Sequence, residues 1–379
     1  MLGSVPKIPG QLIIDTAKIS HLKETIATLL GLKSYKFPGA QPISFGAKQL
    51  DEIEQEDFYV AEKSDGVRCL ALLTSNQYKE PEIYLFDRKN NFHLVRNFRF
   101  PIPNDPNYHK CLKNTIIDGE FVLDKEEDGS SLRINENEDL LQYLNNDIIK
   151  PHQGMLRKYP IMKDKQQFSV QFKEQQFAHH LDSIFKEVIP NLKHGSDGLI
   201  FTSVNAPYVM GTCNKMLKWK PLNENSIDFK VKLVFPGTNI QGVKDYSKKP
   251  RIDLLVWQGG KDYTYFNELG VTDDEWKEKF GDSPRYMDGK IIECNYEPEL
   301  QQQLNLKSPW RFMRYRDDKE DGNHQKTVDN VLQSIRDAVT KEELIERIPR
   351  IKEAADRRKR NNEHNSNLDD RQTKKRRQE

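Results

Sequence analysis

Apolar residues fall into short runs in the first half of the chain and into an alternating pattern in the second. Leu22–Leu32 (LKETIATLLGL) spaces apolar side chains three and four apart and stops at Gly31, which predicts a helix with its cap. Pro38-Gly39 and Pro42 make Lys36–Phe45 (KFPGAQPISF) a loop. Five apolar runs of four to eight residues, Val67–Leu73, Ile83–Phe86, Ile116–Leu123, Leu199–Thr202 and Met216–Trp219, lie between turn formers and predict strands. Helical spacing returns over Asp139–Tyr159 and Phe177–Ile189. The result is a mixed α+β domain with helices outside its sheets.

The second half begins with the clearest strand. Ile227, Phe229, Val231, Leu233 and Phe235 alternate with Asp228, Lys230 and Lys232, so one face is buried and the other wet. Ile252–Trp257, Lys290–Tyr296 and Trp310–Tyr315 are further strands, and a small antiparallel β barrel is their natural closure. The domain boundary falls at Pro221–Asn225. Val328, Val331, Leu332, Ile335 and Val339 then form one apolar stripe, read as a packing helix. Apolar residues nearly vanish from Ala354 onward, which predicts a disordered end. Its basic clusters, Arg357–Arg360 and Lys374–Arg377, read either as a split nuclear-import signal or as a solvating tail.

Composition narrows the class. A length of 379 residues suits two domains or one large one. The mean hydropathy of −0.81 and the lack of a long apolar run argue against a membrane span. Met1–Gly10 lacks a secretory pattern. Cys69, Cys111, Cys213 and Cys294 stand far apart, as reduced thiols of an intracellular protein do. Lys and Arg number 59 against 58 Asp and Glu, but Ile351–Glu379 carries +4 and leaves the body at −3. Nucleic acid, if bound, should therefore meet local patches rather than a generally basic surface.

Five motifs hold the candidate chemistry. Glu62-Lys63-Ser64-Asp65-Gly66-Val67-Arg68 places a lysine between two apolar stretches, where it could act as a nucleophile once its amine is neutral. Asp118-Gly119-Glu120 puts carboxylates into a strand-like run, and Ser196-Asp197-Gly198-Leu199-Ile200-Phe201 repeats an acidic turn entering a strand. Lys218 and Lys220 of LKWKP share a strand face, and Arg314-Tyr315-Arg316-Asp317-Asp318-Lys319 follows the last strand. Taken singly, each reads as a turn signal or a wet face. Together they are the parts for nucleotidyl transfer: a lysine to attack phosphorus, carboxylates for a divalent metal, and cations to neutralise the phosphates.

In this order K-x-D-G-x-R, DGE, SDGLIF, LKWKP and R-x-R-x-D-K resemble the covalent nucleotidyltransferase superfamily of mRNA capping enzymes and ATP-dependent ligases. FPGAQPISF, LKWKP followed by ENSIDFK, and RYRDDKEDGNH make the chain most similar to fungal-type mRNA guanylyltransferases, from about Leu22 to about Arg360. The resemblance implies a ligase-type, ATP-grasp-like nucleotidyltransferase domain of antiparallel sheets with helices over residues 1–224. It further implies an OB-fold domain with a C-terminal helix over 225–350, and a basic tail over 351–379. Lys63 would carry GMP from GTP to the 5′-diphosphate end of nascent RNA. Asp65, Arg68, Arg88, Glu120 and Lys173 would contact the nucleotide, with Lys218 and Lys220 on its α-phosphate. Asp197 and Glu120 would hold Mg2+ or Mn2+, and Arg314, Asp318 and Lys319 would close over the triphosphate. A separate RNA 5′-triphosphatase, the phosphorylated tail of RNA polymerase II and a nuclear setting are implied as well.

One departure stands out. After DGE the family carries an apolar strand ending in Phe-Asp, whose ring stacks on guanine and is worth about 1–3 kcal/mol by analogy with base–aromatic platforms. Here Ser131-Leu132-Arg133 enters such a strand and then meets the polar Ile134–Asp139, so a strand and its loop are expected to be missing. A gene model that dropped coding sequence explains this better than a divergent active enzyme or an inactive copy, since the phosphate-handling residues all remain. The alternative functions are an ATP-dependent polynucleotide ligase and a non-catalytic subunit of the capping complex.

Overall fold

A computed structural model describes residues 6–124, 130–134, 144–238, 243–283 and 285–376. The chain divides into two compact units. The first comprises Met1–Ser44, Lys48–Trp219 and Glu342–Glu379; the second comprises Phe45–Ala47 and Lys220–Lys341.

Among the described residues, twelve strands build the sheets of the first unit. They are β1 (Gln11–Leu12), β2 (Ala40–Ser44), β3 (Phe58–Ser64), β4 (Val67–Ser75), β5 (Pro81–Phe86) and β6 (Phe92–Val95). After these come β7 (Thr115–Leu123), β8 (Ser130–Ile134), β9 (Ser169–Phe172), β10 (Gln176–Phe177), β11 (Ser196–Ser203) and β12 (Gly211–Trp219). One sheet runs β1-β6-β5-β4-β7-β8-β9 and the other β10-β3-β11-β12-β2. Asp65-Gly66 alone joins β3 of one sheet to β4 of the other.

Burial on both faces explains why β4 reads as an unbroken apolar run. Cys69, Ala71 and Leu73 pack on one side with Ile83, Leu85, Ile117 and Phe121. Leu70 and Leu72 pack on the other with Leu22 and Ile26 of helix α1 (Thr16–Leu29). α1 begins six residues before the apolar pattern does, because the Asp15 carboxylate accepts from the Ala17 and Lys18 amides and caps it. Helix α2 (Ala47–Gln55) buries Leu50 and Ile53.

The strand expected to be missing has its place filled. β8 pairs antiparallel with β7 from Gly119↔Ile134 to Leu123↔Ser130, and parallel with β9 from Ser131↔Ser169 to Ile134↔Phe172. The sheet therefore stays continuous, because backbone pairing needs no apolar side chain beyond Ile134. The polar stretch 135–143 lies outside the described residues. The helix expected over Asp139–Tyr159 is a π-helical turn (Leu144–Ile149) followed by α3 (Lys150–Lys158). The pattern over Phe177–Ile189 breaks into short turns instead of one helix.

In the second unit β13 (Ser226–Val234), β14 (Arg251–Gly259), β15 (Asp262–Glu268), β16 (Ile291–Tyr296) and β17 (Trp310–Tyr315) form an antiparallel sheet. Its order is β15-β14-β13-β16-β17. The architecture is OB-like, but among the described residues no ladder joins β15 to β17, so the expected barrel is an open sheet. Ile227, Phe229, Val231, Leu233 and Phe235 line its core as the alternation predicts. Val328, Val331, Leu332 and Ile335 of α4 (Gln325–Arg336) cover that core.

The end of the chain differs from expectation. α5 runs from Lys341 to Arg376 and so continues past Ala354, beyond which composition predicts disorder. Leu344 and Ile351 are buried within the first unit, and Arg347 donates to Glu54 (2.6 Å). Arg358 donates to Asp57 (2.6 Å) and to the Glu54 carbonyl (2.7 Å). An acidic docking face thus supplies partners that composition alone does not reveal.

Candidate active site

Lys63 lies near the end of β3, where that strand and β11 fall out of register. Ser64 pairs with Ser196 and Glu62 with Leu199, so Asp197 and Gly198 together face Lys63 as a β-bulge. Gly198 has φ +149°, a conformation open to glycine. The bulge aims Asp197 at Lys63, whose Nζ donates to Asp197 Oδ1 at 2.6 Å, and both side chains keep some exposure. Ala61, Ile200 and Lys218 stand opposite one another across β3, β11 and β12. Lys218 therefore shares the face of Lys63, and Lys220 lies just past the end of β12.

The neighbouring sheet brings a second group. Arg68 on β4 stands opposite Glu120 on β7, and Asp118 is two residues along on the same face. This is the face that α1 covers at Leu70 and Leu72; toward Arg68 it turns polar. Arg68 grips Asp118 in a two-pronged pair, with Nε to Oδ1 at 2.9 Å and Nη2 to Oδ2, while Nη1 donates to the Ala40 carbonyl. Burial raises the Glu120 pKa to about 7, helped by Asp118 and opposed by Lys173, Lys63 and Arg68. Gly66 is required here: a Cβ would come within 2.4 Å of the Phe121 carbonyl and 3.0 Å of Glu120 Cγ.

Beside β3 lies a buried polar cluster. Lys173 donates to Ser64 Oγ (2.9 Å) and pairs with Glu62 (3.4 Å), which also receives Ser64 Oγ (3.2 Å) and lies 3.7 Å from His194 Nε2. Burial lowers the Lys173 pKa against the pull of Glu62 and Glu120. Asp65 is exposed in the connection between the sheets, and its amide donates to the Gly195 carbonyl at 2.8 Å. Arg88 is exposed in the turn between β5 and β6. Phe86 pairs with Leu70, two residues from Arg68, so that turn sits at the same end of the sheet.

The second unit gathers the remaining candidates. Arg314 donates to Glu293 (2.7 Å), and Arg316 spans Asp228 (3.0 Å) and Asp318 (2.9 Å). Lys319 donates to Asp228. The Arg316 guanidinium draws the Asp318 pKa down to about 2. Asp228 reads as a wet-face residue in the β13 alternation, yet it is buried because these cations neutralise it.

Sequence reasoning singled out Lys63, Asp197 and Glu120 but passed over Asp118, although it stands in the same DGE motif. Tyr208, Glu62 and His194 carried no signal beyond their proximity to motifs. Among the described residues, no group of three His, Cys, Asp or Glu side chains converges as a metal cage.

Residues 5–222 match the model of the mRNA capping enzyme catalytic domain, and residues 224–345 match that of its C-terminal domain. The chain belongs to the mRNA capping enzyme family. It is 38% identical to the mRNA-capping enzyme subunit alpha of Schizosaccharomyces pombe, over 93% of this chain and 89% of the relative. Identity to the subunit alpha of Saccharomyces cerevisiae is 32%, over 94% and 88% of the two chains. The ATP-dependent DNA ligase of bacteriophage T7, solved with ATP, aligns at 14% identity over 74% of this chain and 98% of its own, with a TM-score of 0.33. Membership places the chain among the nucleotidyltransferases of mRNA capping.

Proposed function

We propose that the chain is a GTP:RNA guanylyltransferase working through a Lys63–GMP intermediate. The neutral Lys63 amine attacks the α-phosphorus of GTP; a P–N bond forms, the P–O bond to the β-phosphate breaks, and pyrophosphate leaves. The 5′-diphosphate end of nascent RNA then takes the GMP and frees the lysine. The observation that carries this reading is the 2.6 Å contact of Lys63 with the bulge residue Asp197, in a site that also holds Arg68 and Glu120. Asp197 orients the amine and accepts its hydrogen bond, Asp65 flanks it, and Arg68, Arg88, Glu120 and Lys173 bind the nucleoside side. Lys218 and Lys220 neutralise the α-phosphate. Arg314, Asp318 and Lys319 of the second unit serve the leaving pyrophosphate. In this assignment 1–224 is the nucleotidyltransferase domain and 225–350 the OB-fold domain.

The donor set suits a hard divalent cation, Mg2+ or Mn2+, which binds through one or two carboxylates together with substrate phosphates. Asp197 and Glu120 would hold it, and a Glu120 carboxyl raised to about 7 is one with room for added positive charge. When bound, the cation supplies Lewis-acid charge at the phosphates. The subunit-alpha name of the relatives supports a partner subunit, which we assign as an RNA 5′-triphosphatase. The phosphorylated polymerase II tail and a nuclear location complete the proposal. Among the described residues no helix is long and apolar enough to cross a membrane.

A second reading, a non-catalytic capping subunit, has one observation on its side. β8 (Ser-Ser-Leu-Arg-Ile) carries no aromatic ring to stack on guanine. Incubation with radiolabelled GTP or ATP and a divalent metal decides. Covalent label from GTP that is lost in Lys63→Ala supports the guanylyltransferase; label from ATP alone points to a ligase. No label from either nucleotide favours the non-catalytic subunit.

A further inference from the structure

The loop between β11 and β12 ends in Tyr208-Val209-Met210, each about two-fifths exposed. Tyr208 nevertheless reaches into the site. Its hydroxyl lies 2.6 Å from Asp118 Oδ2, 3.2 Å from the Ala40 amide and 3.3 Å from the Pro38 carbonyl. One hydroxyl has one proton, and the short, charge-assisted contact to the carboxylate takes it. The same oxygen accepts from the Ala40 N–H. A single atom therefore ties β7 to the first residue of β2.

The same segment, Pro38–Ala40, also binds Arg68. The Ala40 carbonyl accepts from Arg68 Nη1, and the Gly211 amide reaches the Gly39 carbonyl at 3.4 Å. At Gly39 a Cβ would meet the Phe37 ring at 2.5 Å and Arg68 Cζ at 3.3 Å, so the segment lies directly against the guanidinium. Tyr208, Asp118, Ala40 and Arg68 thus close a ring of contacts through four separate segments of chain. Within it Arg68 uses three of its five N–H groups, one each from Nε, Nη1 and Nη2, which leaves two for a ligand among the described residues.

We propose that Tyr208 is a positioning residue for nucleotide binding, holding Asp118 and Ala40 so that Arg68 presents its two remaining N–H groups to the nucleotide. The inference rests on the reading of Arg68 as a nucleotide ligand. The hydroxyl does not touch the reacting atoms; it acts through Asp118 and the Ala40 backbone. Preorganisation of this kind appears in affinity rather than in the chemical step.

The test uses the full chain and equilibrium binding of GTP without divalent metal, so that no covalent step is needed. Tyr208→Phe keeps the ring and removes only the hydroxyl. It should weaken GTP binding about threefold to tenfold, the effect of one modest hydrogen bond. In an Arg68→Ala background the same change should have less than about a twofold effect, since the group it positions is gone. Unchanged affinity in Tyr208→Phe overturns the proposal, and so does an equal loss in both backgrounds, which would mark a general structural effect. A parent chain that fails to bind GTP overturns it too. Normal binding with no covalent label from GTP instead counts against the guanylyltransferase reading and leaves the Tyr208 result to be judged on affinity alone.

Discussion

Asp118→Ala removes the carboxylate that holds the Arg68 guanidinium, and the cost follows from their burial. The Asp118 side chain is 6% exposed and that of Arg68 19%. Asp118 accepts from Arg68 Nε at 2.9 Å, from Nη2 and from Tyr208 at 2.6 Å, so the mutation orphans three donor groups on two residues at once. Breaking a buried pair costs about 3–5 kcal/mol. The residual exposure of Arg68 and its bond to the Ala40 carbonyl place this case at the low end, about 3 kcal/mol. At about 2–4 °C per kcal/mol for a unit of this size, thermal unfolding followed by circular dichroism should fall by about 6–12 °C. Replacing both partners, Arg68→Met with Asp118→Leu, removes the uncompensated charge and should recover stability to within about 1 kcal/mol of the parent. GTP labelling should stay lost in that double variant. A single variant as stable as the parent would refute the burial argument, and a double variant that labels normally would refute the assignment of Arg68 to the nucleotide.

The raised Glu120 pKa gives a pH dependence with a definite sign. The folded carboxyl titrates at about 7 against an ordinary value of 4.5, so its contribution to stability is complete below 4.5 and is lost as pH rises through 7. Melting temperatures from pH 4.5 to 8 should show this loss in the parent, and Glu120→Gln should flatten it; parallel curves would contradict the shift. Gly66→Ala forces a methyl within 2.4 Å of the Phe121 carbonyl, so β7 must move and take Glu120 with it. Denaturant unfolding should show a loss of about 1–3 kcal/mol together with weaker GTP labelling, and a variant unchanged in both would contradict the clearance.

Much of this architecture was legible in residue order. The alternation from Ile227 to Phe235 predicted β13 and its buried face, because a half-wet strand writes a period of two into the sequence. The apolar runs Val67–Leu73 and Ile116–Leu123, the second interrupted by Asp118-Gly119-Glu120, fell within β4 and β7 for the opposite reason, burial on both faces. The polar stretch after Ile134 lies outside the described residues, while Ser130–Ile134 pairs through its backbone with β7 and β9 and so gives β7 a neighbour that the sequence reading did not foresee. The helical course of α5 past Ala354 was not legible, since Arg358 finds its partners Glu54 and Asp57 some 300 positions earlier in the chain.

What residue order settled by itself was the inventory: a lysine in a K-x-D-G turn, acidic pairs entering strands, and clustered cations near the end of the second unit. These are local patterns, set by spacing and by the turn chemistry of glycine. Only the tertiary structure decided which of them meet. The β-bulge brings Asp197, 134 residues away, onto Lys63, and the Arg68–Asp118–Tyr208 chain exists because three distant segments converge. Asp228 passes from a wet-face residue to a buried charge for the same reason. Neutralising a charge depends on distance in space, and a linear sequence does not record that distance.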